Sequence, residues 1–272
     1  IFLPTLLALY PNLLKASKPM TNFLPIILVI LIPFSGKAGT TKTQAQEILR
    51  KSQNAINSRD DSGYVQMKII EADGSFKSRS LTLKRLNSDK QYALIRISSP
   101  KDLKGTAVLI IADKQQESQW LYLPSSKQVR RVVGSNKEAG ILGSELTPQD
   151  LDFTTIKSST ATFIKETTLR NSAMSLFEVK SSNNSTIYSK AWIWIATKAS
   201  LPIRVDYFDQ TGKVLKRVEF KDYKKIGKSF RARLISVKNL QNNRSTEIRL
   251  SRLKSNTGLR PQDFSERALA SE

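Results

Sequence analysis

The chain has 272 residues, of which 39% are hydrophobic and 25% charged, and its formal net charge is +21. It contains neither cysteine nor histidine, which excludes disulfides, thiol nucleophiles, zinc–thiolate sites and the catalytic groups of Ser-His-Asp, Cys-His and His-metal hydrolases. We therefore expect a protein that is not an enzyme and that has no catalytic residue, cofactor or metal site.

The first 38 residues predict an export signal rather than part of a folded domain. They contain no acidic side chain, and the apolar run over residues 23–34 is twelve residues long, shorter than the roughly 20 that cross a bilayer. Small residues at Gly36 and Ala38 suit the −3 and −1 positions of a signal peptidase site, so we predict cleavage after Ala38. Met20 is a candidate start, and an uncleaved membrane anchor is the alternative.

A helix is predicted next, and a change to strand periodicity follows it. Apolar residues within 41–59 recur at the i, i+3, i+4, i+7 spacing of a helix face. From Gly63 the period becomes two, with Val65, Met67 and Ile69 on one side. Asp73-Gly74 predicts a hairpin turn. Six strands are predicted between residues 63 and 133.

Residues 140–153 interrupt the strands with a predicted loop and short helix. Thr147 and Pro148 suit the cap and the first position of that helix, and its leucines and phenylalanine give it an apolar side. Seven more strands are predicted between residues 162 and 253, with a loop over residues 222–227. No Gly/Ser-rich or Pro-rich linker divides the chain, so we predict a single domain over residues 39–272.

The predicted strands determine the fold class. Thirteen short antiparallel strands exceed what one flat open sheet accommodates, so the sheet must curl into a barrel or half-barrel, or form a sandwich. The amphipathic helices need apolar surface to cover. We therefore predict a mainly β fold, a curled antiparallel sheet forming an incomplete β-barrel, with helices covering an apolar cavity on its concave face.

Aromatic residues at alternate strand positions are candidates to line that cavity, because wide rings on a concave face can grip acyl chains. Ordinary core packing of a β domain is the alternative, and the pattern alone favours it. Together with the apolar side of the interruption, the candidate ligand-binding residues are Trp120, Tyr122, Leu142, Leu146, Leu151, Phe153, Trp192, Trp194 and Tyr207.

Charged clusters give weaker indications. Basic residues over 127–131 and around 222–227 suit a phosphate or a membrane surface, or are simply solvated strand ends. Glu145, Asp150 and Asp152 lie near a predicted helix start, where acidic side chains favour the helix dipole. We do not predict acid–base catalysis from these carboxylates.

Several stretches resemble the bacterial outer-membrane lipoprotein-sorting proteins, which are relatives of the periplasmic lipoprotein carrier LolA, in the subgroup typified by an uncharacterised treponemal protein. They are residues 99–106, 119–124, 127–131, 143–151, 201–209 and 212–216, and the likeness extends from about Thr41 to the C-terminus. The order and spacing of these stretches are more specific for the fold than for a cargo.

The resemblance implies an incomplete β-barrel of about eleven strands and a periplasmic carrier that shields acyl chains. Its implied partners are an acylated lipoprotein or lipid and an inner-membrane transporter or permease. Membrane contact would be transient, and we expect a monomer. Nucleic acid is not an expected partner of an exported chain. The alternative is a periplasmic sensor, regulator or accessory protein of a lipid-exporting permease that binds a protein partner through the same sheet.

Overall fold

A computed structural model shows an antiparallel sheet flanked by short helices. It describes residues 42–113, 117–132, 140–147, 150, 161–180 and 187–271. Helix α1 spans Lys42–Ile56 and helix α2 spans Glu266–Ala270. The strands are β1 (Asp60–Ile70), β2 (Phe76–Asn87), β3 (Gln91–Ser99), β4 (Ala107–Ala112), β5 (Glu117–Leu123), β6 (Gln128–Val132), β7 (Thr162–Leu169), β8 (Ser172–Lys180), β9 (Lys190–Ala196), β10 (Leu201–Phe208), β11 (Val214–Ile226), β12 (Ser229–Asn239) and β13 (Ser245–Ser255).

The thirteen strands form a single sheet in the order β6-β5-β4-β3-β2-β1-β13-β12-β11-β10-β9-β8-β7. Each half is a meander of antiparallel hairpins, and the halves meet where β1 pairs with β13. β6 and β7 are the edge strands, so the sheet is not closed into a barrel. The predicted mainly β fold with an incompletely closed antiparallel sheet is confirmed, and the sheet is wider than the resemblance implied.

The two faces of the sheet are covered by different parts of the chain. We call the face against which α1 packs the inner face, and the opposite one the outer face. Ala45 of α1 is fully buried in the inner-face core, with Ile48 and Leu49 packed beside it. The helix lies against β7, β9, β10 and β12. Its predicted position is confirmed in outline, although it ends at Ile56 rather than at residue 59.

The inner-face core follows from strand alternation. Val65, Met67 and Ile69 point to this face from β1, as their spacing predicts. Equivalent buried apolar side chains come from β2 to β4 and from β8 to β13. The inner face is therefore apolar across nearly the whole width of the sheet.

A smaller core lies on the outer face, beneath the C-terminal tail. Phe264 and the fully buried Leu269 of α2 pack against a cluster from β2 to β4 that includes Leu109. Arg96 on β3 holds the tail by donating to the carbonyl oxygens of Ala268 at 3.1 Å and Leu269 at 2.9 Å. This tail has no signal in the sequence, because a five-residue helix is too short to show a helical period.

One predicted loop is wrong. Residues 222–227 were expected to leave the sheet, but β11 continues through them to Ile226 and turns at Gly227, whose φ is +61°. Tyr223 holds this part in the fold, because its ring packs against the inner-face core and its hydroxyl donates to the carbonyl of Pro202. Lys224 and Lys225 are solvated strand residues.

Among the described residues, no helix has the length and apolarity needed to span a membrane.

Candidate functional site

The inner face has a second cover besides α1. Residues 140–147 together with Asp150, which we call the cover segment, lie across it. Ile141 and Leu146 are buried in the inner-face core. The backbone N–H of Glu145 donates to Thr246 Oγ1 on β13 at 2.9 Å. The Glu145 carboxylate pairs with Arg244 at 2.8 Å, so this end of the segment is fastened to the sheet.

The other end of the cover segment closes over a buried polar cluster, which consists of Thr147, Asp150, Tyr188 and Lys216. Lys216 Nζ donates to Asp150 Oδ2 at 2.7 Å and to the Tyr188 hydroxyl at 2.6 Å. The Tyr188 hydroxyl donates to Asp150 Oδ1 at 2.9 Å, and the Thr147 N–H donates to Asp150 Oδ2 at 2.7 Å. One carboxylate therefore accepts three hydrogen bonds, two of which come from outside the cover segment.

The position of Lys216 is unusual for a charged residue. It lies on the inner face of β11, two and four residues before the buried Val218 and Phe220, where alternation calls for an apolar side chain. Its side chain is only 3% exposed. Among the residues that the structure describes, no other lysine is buried. Charged groups are rarely buried unless they are paired, and here the partner is supplied by the cover.

Electrostatics keep the tyrosine of this cluster protonated. Burial raises the pKa of Tyr188 far above its ordinary value, and the negative charge of Asp150 raises it further. Tyr188 is therefore a neutral hydrogen-bond donor at physiological pH. Its ring stacks on Tyr207 with centroids 4.4 Å apart, so the polar cluster adjoins an aromatic wall.

A second buried network lies where α1 ends. Asp61 on β1 pairs with Arg85 on β2 and with Arg231 on β12, the latter at 3.0 Å. Burial acts to raise the pKa of Asp61, but the charges of Arg85 and Arg231 and hydrogen bonds from Ser255 and Ser58 outweigh it and lower the pKa to about 2.

The helix takes part in this second network through its backbone. Arg231 Nη1 donates to the carbonyl oxygen of Ile56 at 2.7 Å, and the Ser229 hydroxyl donates to the carbonyl oxygen of Asn57. The carboxylate and both guanidinium groups belong to the sheet itself.

The predicted cavity residues do not share one surface. Leu142, Leu146 and Tyr207 lie on the inner face, packed in or against its core. Leu151 and Phe153 lie outside the described residues. The remaining four, Trp120, Tyr122, Trp192 and Trp194, point to the outer face, because they alternate with Leu121, Ile193 and Ile195 of the inner-face core.

On the outer face these aromatics already have packing partners. Trp120 and Tyr122 pack against the small core beneath the C-terminal tail. Trp192 contacts Phe208 edge to face with centroids 5.0 Å apart, and the guanidinium of Arg204 lies 4.4 Å from the ring centre of Trp194. The two pairs lie on β5 and β9, with eight strands between them in the sheet order.

Lys216 and Tyr188 are not among the site residues predicted from the sequence. A single lysine in phase with Val218 and Phe220 was the available signal. Its partners were not visible in the sequence, because Asp150 lies 66 positions away and Tyr188 lies 28 positions away.

Comparison with known proteins supplies the family. A family model described as an uncharacterized protein matches residues 89–271. A solved domain of Vibrio parahaemolyticus, described as outer-membrane lipoprotein-sorting, is similar with a TM-score of 0.77 and 27% identity over 85% of this chain and 100% of that one. A DUF1329 family protein of Desulfovibrio piger gives a TM-score of 0.76 at 23% identity, over 84% of this chain and 98% of that one.

A LolA superfamily protein of Nitrosomonas europaea is similar with a TM-score of 0.63 and 16% identity, over 82% of this chain and 98% of that one. No curated protein matches the sequence. The family model covers more than half of the chain, and the solved structures share its fold. The chain belongs to this family of uncharacterized proteins, and its fold is LolA-like, similar to that of the solved outer-membrane lipoprotein-sorting domain.

Proposed function

We propose that the protein is a periplasmic carrier that holds the acyl chain of a lipid or lipoprotein against the inner face of its sheet. The observation that carries this proposal is the apolar inner face, which extends from β1 to β4 and from β8 to β13. In the described part of the chain its covers are α1 and the cover segment, which are short pieces that can separate from the sheet without breaking any strand pairing.

The free energy of acyl transfer explains why such a face is needed. A chain of ~15 carbons in water is unfavourable by roughly 12 kcal/mol, at about 0.8 kcal/mol per methylene. A carrier must recover most of this free energy and still release the chain. Covers that exchange their own apolar contacts for those of the cargo meet both needs, because the net change on loading is small.

The inner-face members of the predicted cavity set are the candidate cargo contacts. Leu142 and Leu146 belong to the cover segment, and Tyr207 belongs to the sheet beneath it. A chain that enters between them would replace contacts that the cover now makes. Leu151 and Phe153 remain candidates from the sequence, and the tryptophans on β5 and β9 are assigned to outer-face packing.

Export is part of the proposal. A signal over residues 1–38 with cleavage after Ala38 would deliver the mature chain to the compartment in which lipoprotein sorting occurs. The high positive charge suits brief contact with anionic head groups there.

Native mass spectrometry tests the carrier proposal. Residues 39–272 would be purified without detergent from a bacterial periplasm, and we expect adducts of lipid mass that disappear on delipidation and return on addition of lipid. A clean apo mass with no uptake of phospholipid or acylated peptide would reject the carrier and favour the sensor or permease accessory.

A pair of matched variants locates the binding face in the same experiment. Leu146→Ala removes apolar contact on the inner face, and Leu269→Ala does the same on the outer face. Uptake should fall in the first variant and persist in the second. The opposite result would place the cargo beneath the C-terminal tail.

A further inference from the structure

We propose that Lys216 and Tyr188 form a binding site for the carboxylate or phosphate of an anionic amphiphile, which takes the place of the Asp150 carboxylate when the cover segment lifts. This inference rests on the proposed carrier function and adds the chemical class of the cargo. The preferred cargo is a hydrocarbon chain with an anionic head group, rather than a neutral lipid.

The geometry of the polar cluster is that of an occupied anion site. The Asp150 carboxylate accepts from Lys216 Nζ at 2.7 Å and from the Tyr188 hydroxyl at 2.9 Å. Lys216 belongs to β11, and Tyr188 lies two residues before β9. The carboxylate belongs to the cover segment and is held there by the N–H of Thr147. Lifting the cover therefore removes the acceptor and leaves the Lys216 donor on β11 and the Tyr188 donor next to the start of β9.

Burial makes the loss of that acceptor unfavourable. Lys216 is 3% exposed and the Asp150 side chain is 1% exposed. A buried ion pair that loses one partner leaves an uncompensated charge, which is strongly destabilising. A neutral acyl chain that pushes the cover aside supplies nothing to Lys216. A carboxylate or phosphate restores a charge-assisted hydrogen bond to the same donors, so it favours the open state by its differential affinity.

The surroundings of the two donors suit the rest of such a ligand. Tyr207 stacks on Tyr188 with centroids 4.4 Å apart. Val218 and Phe220 continue the same face of β11 beyond Lys216 and are buried in the inner-face core. A charged head group at Lys216 would therefore have an apolar surface beside it for its chain. This juxtaposition of one cationic donor and a wide apolar face fits an amphiphile.

The test compares three ligands that share a sixteen-carbon chain. The mature chain, delipidated, would be titrated with palmitate, palmitoyl lysophosphatidate and hexadecanol, which present a carboxylate, a phosphate and a neutral hydroxyl. We expect at least one anionic ligand to bind about tenfold or more tightly than hexadecanol. Preference for palmitate would assign the head group as a carboxylate, and preference for lysophosphatidate would assign it as a phosphate.

Two substitutions with opposite expected effects distinguish a role of Lys216 and Asp150 in ligand binding from a purely structural role. Lys216→Met should abolish the preference for the anion while leaving hexadecanol binding within about twofold. Asp150→Asn should tighten binding of the anionic ligand, because it weakens the internal competitor. A purely structural pair would instead give weaker binding of every ligand in both variants, and that result would overturn the inference.

Lys190→Met is the matched control. Lys190 pairs with Glu178 at 2.8 Å on the outer face, so its loss removes the same charge from the opposite side of the sheet. The ligand preference should be unchanged in this variant. If the unaltered chain binds all three ligands equally, the inference is wrong and the carrier proposal stands. If it binds none of them, both are wrong.

Discussion

The two covers of the inner face are fastened by networks that differ in where the carboxylate comes from. At the end of α1, Asp61 and its partners Arg85 and Arg231 all belong to the sheet, and the helix contributes backbone carbonyls. At the cover segment, the sheet contributes Lys216 and the cover contributes Asp150. Lifting α1 would leave Asp61 paired with both arginines, whereas lifting the cover segment would take the carboxylate away from Lys216.

The difference assigns distinct roles to the covers. α1 can respond to apolar contact alone, because its departure exposes neutral carbonyls that water can satisfy. The cover segment would respond to charge as well under the proposal above, because its departure would be favoured when an anionic group replaces Asp150. In the proposed carrier, the sheet would therefore respond to both parts of an amphiphile, to the chain through α1 and to the head group through the cover segment.

The largest effect should come from breaking the Asp61 network, whose charged groups all belong to the sheet. Asp61→Asn leaves two guanidinium groups without their shared carboxylate, and we expect the free energy of unfolding to fall by about 4 kcal/mol. Urea denaturation measures this change. Asp73→Asn is the control, because Asp73 caps the exposed β1–β2 turn through Ser75 at 2.9 Å. A loss no larger than that of the control would contradict the structural role of Asp61.

Unlike the Asp61 network, the pair of Lys216 and Asp150 should regain its stability when a second substitution removes the remaining charge. Lys216→Met alone leaves Asp150 buried and unpaired, and we expect the free energy of unfolding to fall by about 3 kcal/mol. Adding Asp150→Leu removes the orphaned charge, and stability should return to within about 1 kcal/mol of the original chain. Thermal and urea unfolding of the two single variants and the double variant measure the coupling. Additive losses would mean that the two residues do not act as a pair.

Acid should weaken the Asp61 network of the sheet. The pKa of Asp61 is lowered from 3.8 to about 2, so the unfolded chain takes up this proton before the folded chain does. The resulting stabilisation, about 2 kcal/mol, is complete above pH 3.8 and is lost as the pH falls to about 2. Unfolding free energies measured between pH 6 and pH 2 should show this loss, and Asp61→Asn should show a correspondingly smaller dependence. Identical pH profiles would exclude Asp61 as the cause.

The smallest effect should come from the outer face. Trp194→Leu removes the ring that lies 4.4 Å from the Arg204 guanidinium, and we expect a loss of about 1 kcal/mol in stability with no change in lipid uptake. Tyr207→Leu is the inner-face counterpart and should reduce uptake measured by native mass spectrometry. Reduced lipid uptake in Trp194→Leu would show that the outer-face aromatic residues contribute to lipid binding.

The sequence predicts the sheet well because its signal is local. A period of two, interrupted by turn residues, gives thirteen strands in the observed order along the chain. The lysine-rich end of β11 was read as a loop because its composition is hydrophilic, although Tyr223 anchors it. Which strands would become neighbours, above all β1 and β13, depends on contacts distant in sequence and has no local signal.

The candidate site was less predictable for the same reason. Alternation shows that Trp192 and Trp194 share a face, but it does not show which face the helices will cover. Ile193 and Ile195 are fully buried on the inner face, and the two tryptophans that alternate with them therefore point to the outer face. Lys216 becomes significant only when Asp150 and Tyr188 are brought to it by the fold.

The pairing of the first strand with the last has a consequence for the order in which the sheet forms. The central seam between β1 and β13 joins Ile70 to Ser245 and Asp61 to Ser255, so it cannot form until most of the chain has been synthesised. Contacts so distant in sequence form slowly compared with local hairpins. The emerging polypeptide therefore keeps an unpaired centre until its last strand is made, and the proposed export would act on the chain in this incomplete state.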